Sequence, residues 1–232
     1  MQLTTIAFDA DDTLWHNEVF YVSTQEQFAE LLKDHTPCDD LDSRLYEAEK
    51  RNLGHYGYGI KGFTLSMIET AIEVTEGRVP GHVIRKILDM GQEMLRHPVD
   101  LLPHAQEAVE TMAAQGLRIF LITKGDLLDQ ERKLAASNLG TFFDRVEIVS
   151  EKTSDTYTRI FDTYADGAAK GLMVGNSMRS DILPMIEAGG TAAFVPFELA
   201  WAMEHAEPPE GHARFHTLED LSGLTGLVSA LT

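Results

Sequence analysis

Close to its start the chain carries Leu3-Thr4-Thr5-Ile6-Ala7-Phe8-Asp9-Ala10-Asp11-Asp12-Thr13-Leu14-Trp15, an uncharged run of strand length that ends in three acids and a threonine. A strand covered on both faces reads as a continuous apolar run, so this one belongs inside a sheet. Carboxylates delivered to its C-terminal end would lie in the crevice where an open α/β sheet binds ligands. Asp9, Asp11 and Asp12 repel one another unless a cation sits among them. An all-oxygen donor set suits a hard divalent ion, Mg²⁺ above all. Two plainer readings compete. A calcium loop counted from Asp9 needs Gly at its sixth position and Glu at its twelfth, but Leu14 and Phe20 stand there, so it fails. A solvated acidic turn remains open until the rest of the chain is read.

From Trp15 to about Pro98 the spacing is helical. Phe28, Leu31 and Leu32 share a face, and Leu41, Leu45 and Ala48 follow Asp39 and Asp40, which suit caps. Phe63, Met67, Ala71 and Val74 repeat at three and four, and Pro80 opens a helix burying Val83, Ile84, Ile87, Met90 and Met94. Four such helices can share a small core, so 16–98 is expected to be an inserted helical domain. Its longest turn-rich interruption is Gly54-His55-Tyr56-Gly57-Tyr58-Gly59-Ile60-Lys61-Gly62. This stretch is either a connector or a surface offering His55, Tyr56, Tyr58 and Lys61 to a ligand.

Alternation of strand and helix resumes after Leu101. A helix over Pro103–Ala114 leads to a strand over Leu117–Thr123, followed by Lys124 and Gly125. Leu127–Asn138 reads as helix, Val146–Val149 as a strand before Glu151 and Lys152, and Thr158–Asp166 as helix. Leu172–Val174 runs into Gly175-Asn176-Ser177-Met178-Arg179-Ser180-Asp181, and Thr191–Val195 is a further strand. The pattern predicts an α/β fold: a Rossmann-like parallel sheet with helices on both faces, formed by 1–15 and 99–232, around the helical insert.

Four strand-end stations in this order resemble the haloacid dehalogenase superfamily of hydrolases. They are Asp9-x-Asp11-x-Thr13 after the first strand, Thr123 ending a second, Lys152, and the acidic cluster at Asn176–Asp181. The insert between the first two stations resembles the family's type-one cap. The resemblance implies a phosphatase in which Asp9 attacks phosphorus and becomes an aspartyl phosphate. Asp11 would protonate the leaving oxygen and then take a proton from the attacking water. Thr123, with the N–H groups of Lys124 and Gly125, and Lys152 would hold the phosphoryl oxygens. The resemblance implies Mg²⁺ on the Asp9 carboxylate, the Asp11 carbonyl and the second cluster. Asn176 stands where that cluster often has Asp, so the direct bond falls to Asn176 or Asp181, the latter alternatively a partner of Lys152.

The formal charge of -18 argues against nucleic acid or an anionic membrane as partner and requires a locally positive pocket or a metal for any anionic substrate. The small phosphorylated metabolite expected as substrate is what the resemblance implies. No apolar run reaches membrane-span length. Cys38 is the single cysteine, and Met1 leads directly into the first strand, so a cytoplasmic protein without disulfides is expected. Asp11 disfavours dehalogenation and phosphonate cleavage, neither of which uses an acid at that position in this family. A sugar-phosphate mutase of the same family is the alternative, and a non-catalytic binding protein is a weaker one.

Overall fold

The computed structural model describes residues 3–35, 40–199 and 201–232. Cys38 and the expected cap Asp39 lie outside the described residues. In chain order the elements are β1 Thr5–Phe8, α1 Glu18–Leu32, α2 Leu41–Tyr56, α3 Ile60–Val74, α4 Gly81–Arg96, α5 Ala105–Ala114, β2 Arg118–Lys124, α6 Leu127–Ser137, β3 Arg145–Val149, α7 Ser154–Tyr164, β4 Gly171–Gly175, α8 Leu183–Glu187, β5 Thr191–Phe194, β6 Phe215–Thr217 and α9 Leu224–Leu231.

The chain divides into two compact units. One comprises residues 1–18, 99–124 and 131–232; the other comprises 19–98 together with 125–130.

In the first unit the strands form one parallel sheet in the order β3-β2-β1-β4-β5-β6. The period of two sends alternate residues to opposite faces. Ile6, Phe8, Ile119, Leu121, Leu172 and Val174 join α5 and α9 residues such as Val109, Met112, Leu224 and Val228 in one core. Ala7, Phe120, Ile122 and Met173 join Tyr157, Ile160, Phe161 and Met185 of α7 and α8 in the other. Both faces are covered, as the unbroken apolar runs require. Strand order reverses between β1 and β4, so the crevice at their C-terminal ends is where such a sheet receives a ligand.

The passages into and out of the insert are paired where they leave this unit. His16 donates its N–H to Asp100 O at 3.0 Å, Leu102 donates to Leu14 O at 2.9 Å, and Trp15 and Leu101 form an antiparallel bridge.

The second unit contains α2, α3 and α4 and all of α1 beyond Glu18, around a core of Phe28, Leu32, Leu45, Phe63, Met67, Val83, Ile87 and Met94. The expected loop over Gly54–Gly62 is shorter than the sequence suggested. Helix α2 continues through Gly54, His55 and Tyr56, and α3 already contains Lys61 and Gly62, leaving 57–59 as the turn. Gly57 makes the turn, with a left-handed φ of 71° and its N–H donated to Leu53 O. Lys61 Nζ binds both carboxylate oxygens of Asp126 at 2.9 Å.

Candidate active site

The site is built at the ends of β1, β2, β3 and β4. Asp9 follows β1 directly and is buried. Its Oδ1 accepts from Lys152 Nζ at 2.5 Å, and its Oδ2 accepts from the Thr13 hydroxyl at 3.1 Å. Lys152, buried after β3, also donates to Asp181 Oδ1 at 2.7 Å. The other Asp181 oxygen accepts the Ser177 N–H at 2.9 Å. Gly175 permits this packing: a Cβ there would stand 2.3 Å from Asp181 Oδ2. Burial pushes Asp9 up to about 7, with Lys152 opposing and Asp181 reinforcing the shift. Burial works against the Lys152 ammonium, but Asp181 and Asp9 outweigh it and hold the lysine above its ordinary range. Two carboxyl groups thus lie within 2.7 Å of one buried ammonium.

Thr123 lies buried one residue before the end of β2, its hydroxyl donating to Lys124 O at 3.3 Å. The Lys124 side chain binds Ser180 Oγ at 2.8 Å and Glu204 Oε1 at 2.6 Å. The second Glu204 oxygen accepts both Ser177 and Ser180 hydroxyls at 2.5 Å. Glu204, to which sequence reasoning gave no role, therefore fastens the segment after β5 to the strand ends of β2 and β4. Gly125 falls in 125–130, which groups with the helical unit, as do Tyr58 and Lys61.

Asn176 follows β4, and its backbone N–H donates to Thr13 Oγ1 at 3.1 Å. With its amide nitrogen turned inward, the side chain donates to Asp11 O, Asp9 Oδ2 and Thr13 Oγ1, each at 3.2 Å. The Asn176 amide, the Asp11 main-chain carbonyl and the Asp9 carboxylate thus meet at one point. Among the described residues no group of three His, Cys, Asp or Glu side chains forms a metal cluster. The convergent donors are instead a carboxylate, a carbonyl and an amide, all hard oxygen ligands once the amide turns. These residues fit a small divalent cation.

The Asp11 side chain does not join that group. Its Oδ1 accepts from Trp15 Nε1 at 2.7 Å, and Lys133 Nζ binds its two oxygens at 2.9 and 3.1 Å. Sequence reasoning missed Lys133, and the signal was available. The buried residues of α6 include Asp129, Gln130, Lys133 and Ser137, while Leu127 and Leu128 are exposed. A helix whose polar residues recur at three and four, and prove to be the buried ones, inverts the usual pattern.

The third acid turns elsewhere. Asp12 has a left-handed φ of 60°, and its carboxylate accepts the N–H groups of Asn17 and Glu18 at 2.9 to 3.1 Å, at the start of α1. Burial pushes it up to about 7 against those two donors. Its folded pKa lies above the unfolded value, so the native state holds the extra proton between about pH 4 and 7, and its contribution to stability declines as pH rises through that window. Asp12→Asn keeps an acceptor and tolerates the left-handed backbone. Its melting temperature relative to the parent should therefore climb across that window, then level off. Asp12→Ala loses the cap as well as the charge and should lie below Asp12→Asn by about 0.5–2 kcal/mol at every pH, since neither variant titrates there. Melting curves that stay parallel between parent and Asp12→Asn would contradict this account.

Acids, a hydroxyl and a buried lysine gathered at four strand ends of a Rossmann-like sheet define an α/β protein with the layout of a hydrolase site. The profile of haloacid dehalogenase-like hydrolases matches residues 3–189, and the chain belongs to that family. The crystal structure of a haloacid dehalogenase-like family hydrolase from Xanthomonas campestris is similar at 38% identity and a TM-score of 0.88, covering 99% of this chain and 91% of that one. The hydrolase YfnB of Bacillus subtilis, bound to magnesium, shares 15% identity at a TM-score of 0.67, covering 98% and 99%. L-2-haloacid dehalogenase of Xanthobacter autotrophicus, with chloropropionic acid covalently bound, shares 17% at 0.67, covering both chains fully. The last two show the fold alone. No protein with a curated description matched the sequence. Among the described residues no helix is long and apolar enough to cross a membrane.

Proposed function

We propose that this hydrolase is a Mg²⁺-dependent phosphatase acting on a small phosphorylated metabolite through an aspartyl phosphate at Asp9. One observation carries the reading: a second carboxylate, Asp11, stands two residues beyond Asp9 at the same strand end, held by its own donors. Chemistry on carbon needs a carboxylate nucleophile but no proton for a departing halide, whereas an alkoxide leaving phosphorus does need one. Asp9 attacks phosphorus in line, the bond to the leaving oxygen breaks, and Asp11 supplies the proton to that oxygen. Asp11 then takes a proton from the water that attacks the aspartyl phosphate, and Asp9 is restored. Lys152 and the Thr123 hydroxyl, with the N–H groups of Lys124 and Gly125, stabilise charge on the phosphoryl oxygens.

The Asp9 carboxylate, the Asp11 carbonyl and the Asn176 amide oxygen would hold Mg²⁺, with Asp181 retained by Lys152. When bound, the ion supplies Lewis-acid stabilisation of the phosphoryl charge. In a chain of formal charge -18, these cations are what draws an anionic substrate to one place.

The helical unit is read as a type-one cap that excludes water and reads the leaving group, with Tyr58 and Lys61 among its contacts. Lys61 would exchange Asp126 for a ligand, and an exposed pair of this kind is worth only about 0.2–1 kcal/mol.

Phosphate release from an aryl phosphate and a panel of phosphorylated metabolites tests the proposal. Release should require Mg²⁺, stop on chelation and return when the ion is restored. A lag abolished by a bisphosphate would mark a mutase. Halide release from a 2-haloacid without any phosphate release would overturn the reading.

A further inference from the structure

We infer that Lys133 is the positioning residue of Asp11, fixing the acid–base group to Asn17, the residue before α1, through a buried ammonium; the inference rests on the phosphatase reading for its kinetic consequence, but not for its geometry. Lys133 Nζ donates to Asp11 Oδ1 at 2.9 Å, to Asp11 Oδ2 at 3.1 Å and to Asn17 Oδ1 at 2.8 Å. The residue is only 7% exposed.

Burying an ammonium is expensive. The desolvation cost is several kcal/mol per ion, and well-packed hydrophobic residues in place of a buried ion pair are often neutral or stabilising. A leucine or methionine on α6 would therefore serve the core at least as well. The lysine gives the fold little that an apolar side chain would not, so its purpose lies in what it holds.

It holds two things. One is the Asp11 carboxylate, which Trp15 Nε1 grips from a second direction at 2.7 Å. Two donors approaching from different directions fix the plane and rotamer of a carboxylate, where a single donor leaves it free to swing. The other is Asn17, whose own N–H is bound by Asp12 at 2.9 Å. Asp11, Asp12, Asn17 and the start of α1 are thus joined by one network with Lys133 at its centre.

The end of β1 consequently has a lysine for each of two acids: Lys152 for the nucleophile and Lys133 for the acid–base group. They come from different elements, the segment after β3 and helix α6. The division keeps the Asp11 side chain apart from the Asp9–Asn176 group, although only Ala10 separates the two acids in sequence. A carboxylate that must hand a proton to one oxygen and take one from another gains from being held in place before either event.

The test is a double-mutant cycle with Mg²⁺ present, measuring phosphate release by the parent, Lys133→Met, Asp11→Asn and the double variant, with melting temperatures for each. Lys133→Met should lower kcat at least about tenfold while KM stays within about twofold, because the lysine acts on a group that serves the transition state. In the Asp11→Asn background the same change should cost less than about twofold more, since there is then no acid–base group to position. Lys133→Gln, which keeps a donor without the charge, should fall between parent and Lys133→Met, and it replaces Lys133→Met if that variant does not fold. Effects that multiply across the cycle would mean Lys133 supports the fold alone and would overturn the inference, as would parental kcat in both Lys133 variants. If the parent releases no phosphate from any substrate, the phosphatase reading fails by itself. Crystal structures of the parent and Lys133→Gln then decide: Asp11 turned away from Trp15 in the variant supports positioning, and an unmoved Asp11 refutes it.

Discussion

Asp9→Asn is expected to abolish turnover, with a loss of at least roughly 10⁴-fold in kcat, while the protein remains folded. An amide cannot form the covalent intermediate, yet it matches the carboxylate in shape and keeps an oxygen for Lys152 or Thr13. Burial disfavours the charge at Asp9, so removing it relieves part of that cost and leaves Lys152 the Asp181 carboxylate. The parent should yield a phosphorylated Asp9 on acid quench, and the variant none. Near-parental kcat in a folded Asp9→Asn protein would end the aspartyl-phosphate mechanism.

Lys152→Ala and Thr123→Ala should each slow kcat by at least about a hundredfold, because in the proposed mechanism each removes a donor to the transferring group, a loss worth roughly 2.7–4 kcal/mol in comparable sites. They should differ sharply in stability. Lys152 neutralises two buried acids, and removing one partner of a buried pair costs about 3–5 kcal/mol. Thr123 makes one long bond to the carbonyl of Lys124, so its loss should cost no more than about 1 kcal/mol. Thermal unfolding beside kinetics separates the two residues. An unchanged kcat for either would remove it from the site.

The same difference between local and distant interactions governs how much the sequence disclosed. The end of β1 was legible because an uncharged strand followed by acids is a purely local pattern. The ends of β2 and β4 and the helical spacing of the insert were legible for that reason too. The turn between α2 and α3 was read too long. Glycines at 54 and 62 looked like breaks, but tertiary packing keeps both within helices, and only Gly57 and Gly59 adopt positive φ there. Strand β6 and helix α9 went unread. The strand is only three residues long, too short for alternation to register.

By itself the sequence determined the order of elements from β1 to β5, the parallel sheet, the helical insert and the four strand-end stations. Each follows from side-chain period and local backbone preference, which neighbouring residues settle among themselves. The tertiary structure alone decided which cation meets which acid. Lys152 reaches Asp9 across 143 positions, Lys133 reaches Asp11 across 122, and Glu204 reaches Lys124 across 80. It also turned Asn176 toward Asp9 and Asp11 while giving Asp181 to Lys152. Such pairings depend on strand order and on where each crossover returns the chain, and no local period encodes either. Charge repulsion among Asp9, Asp11 and Asp12 announced that cations had to come, and the fold chose which.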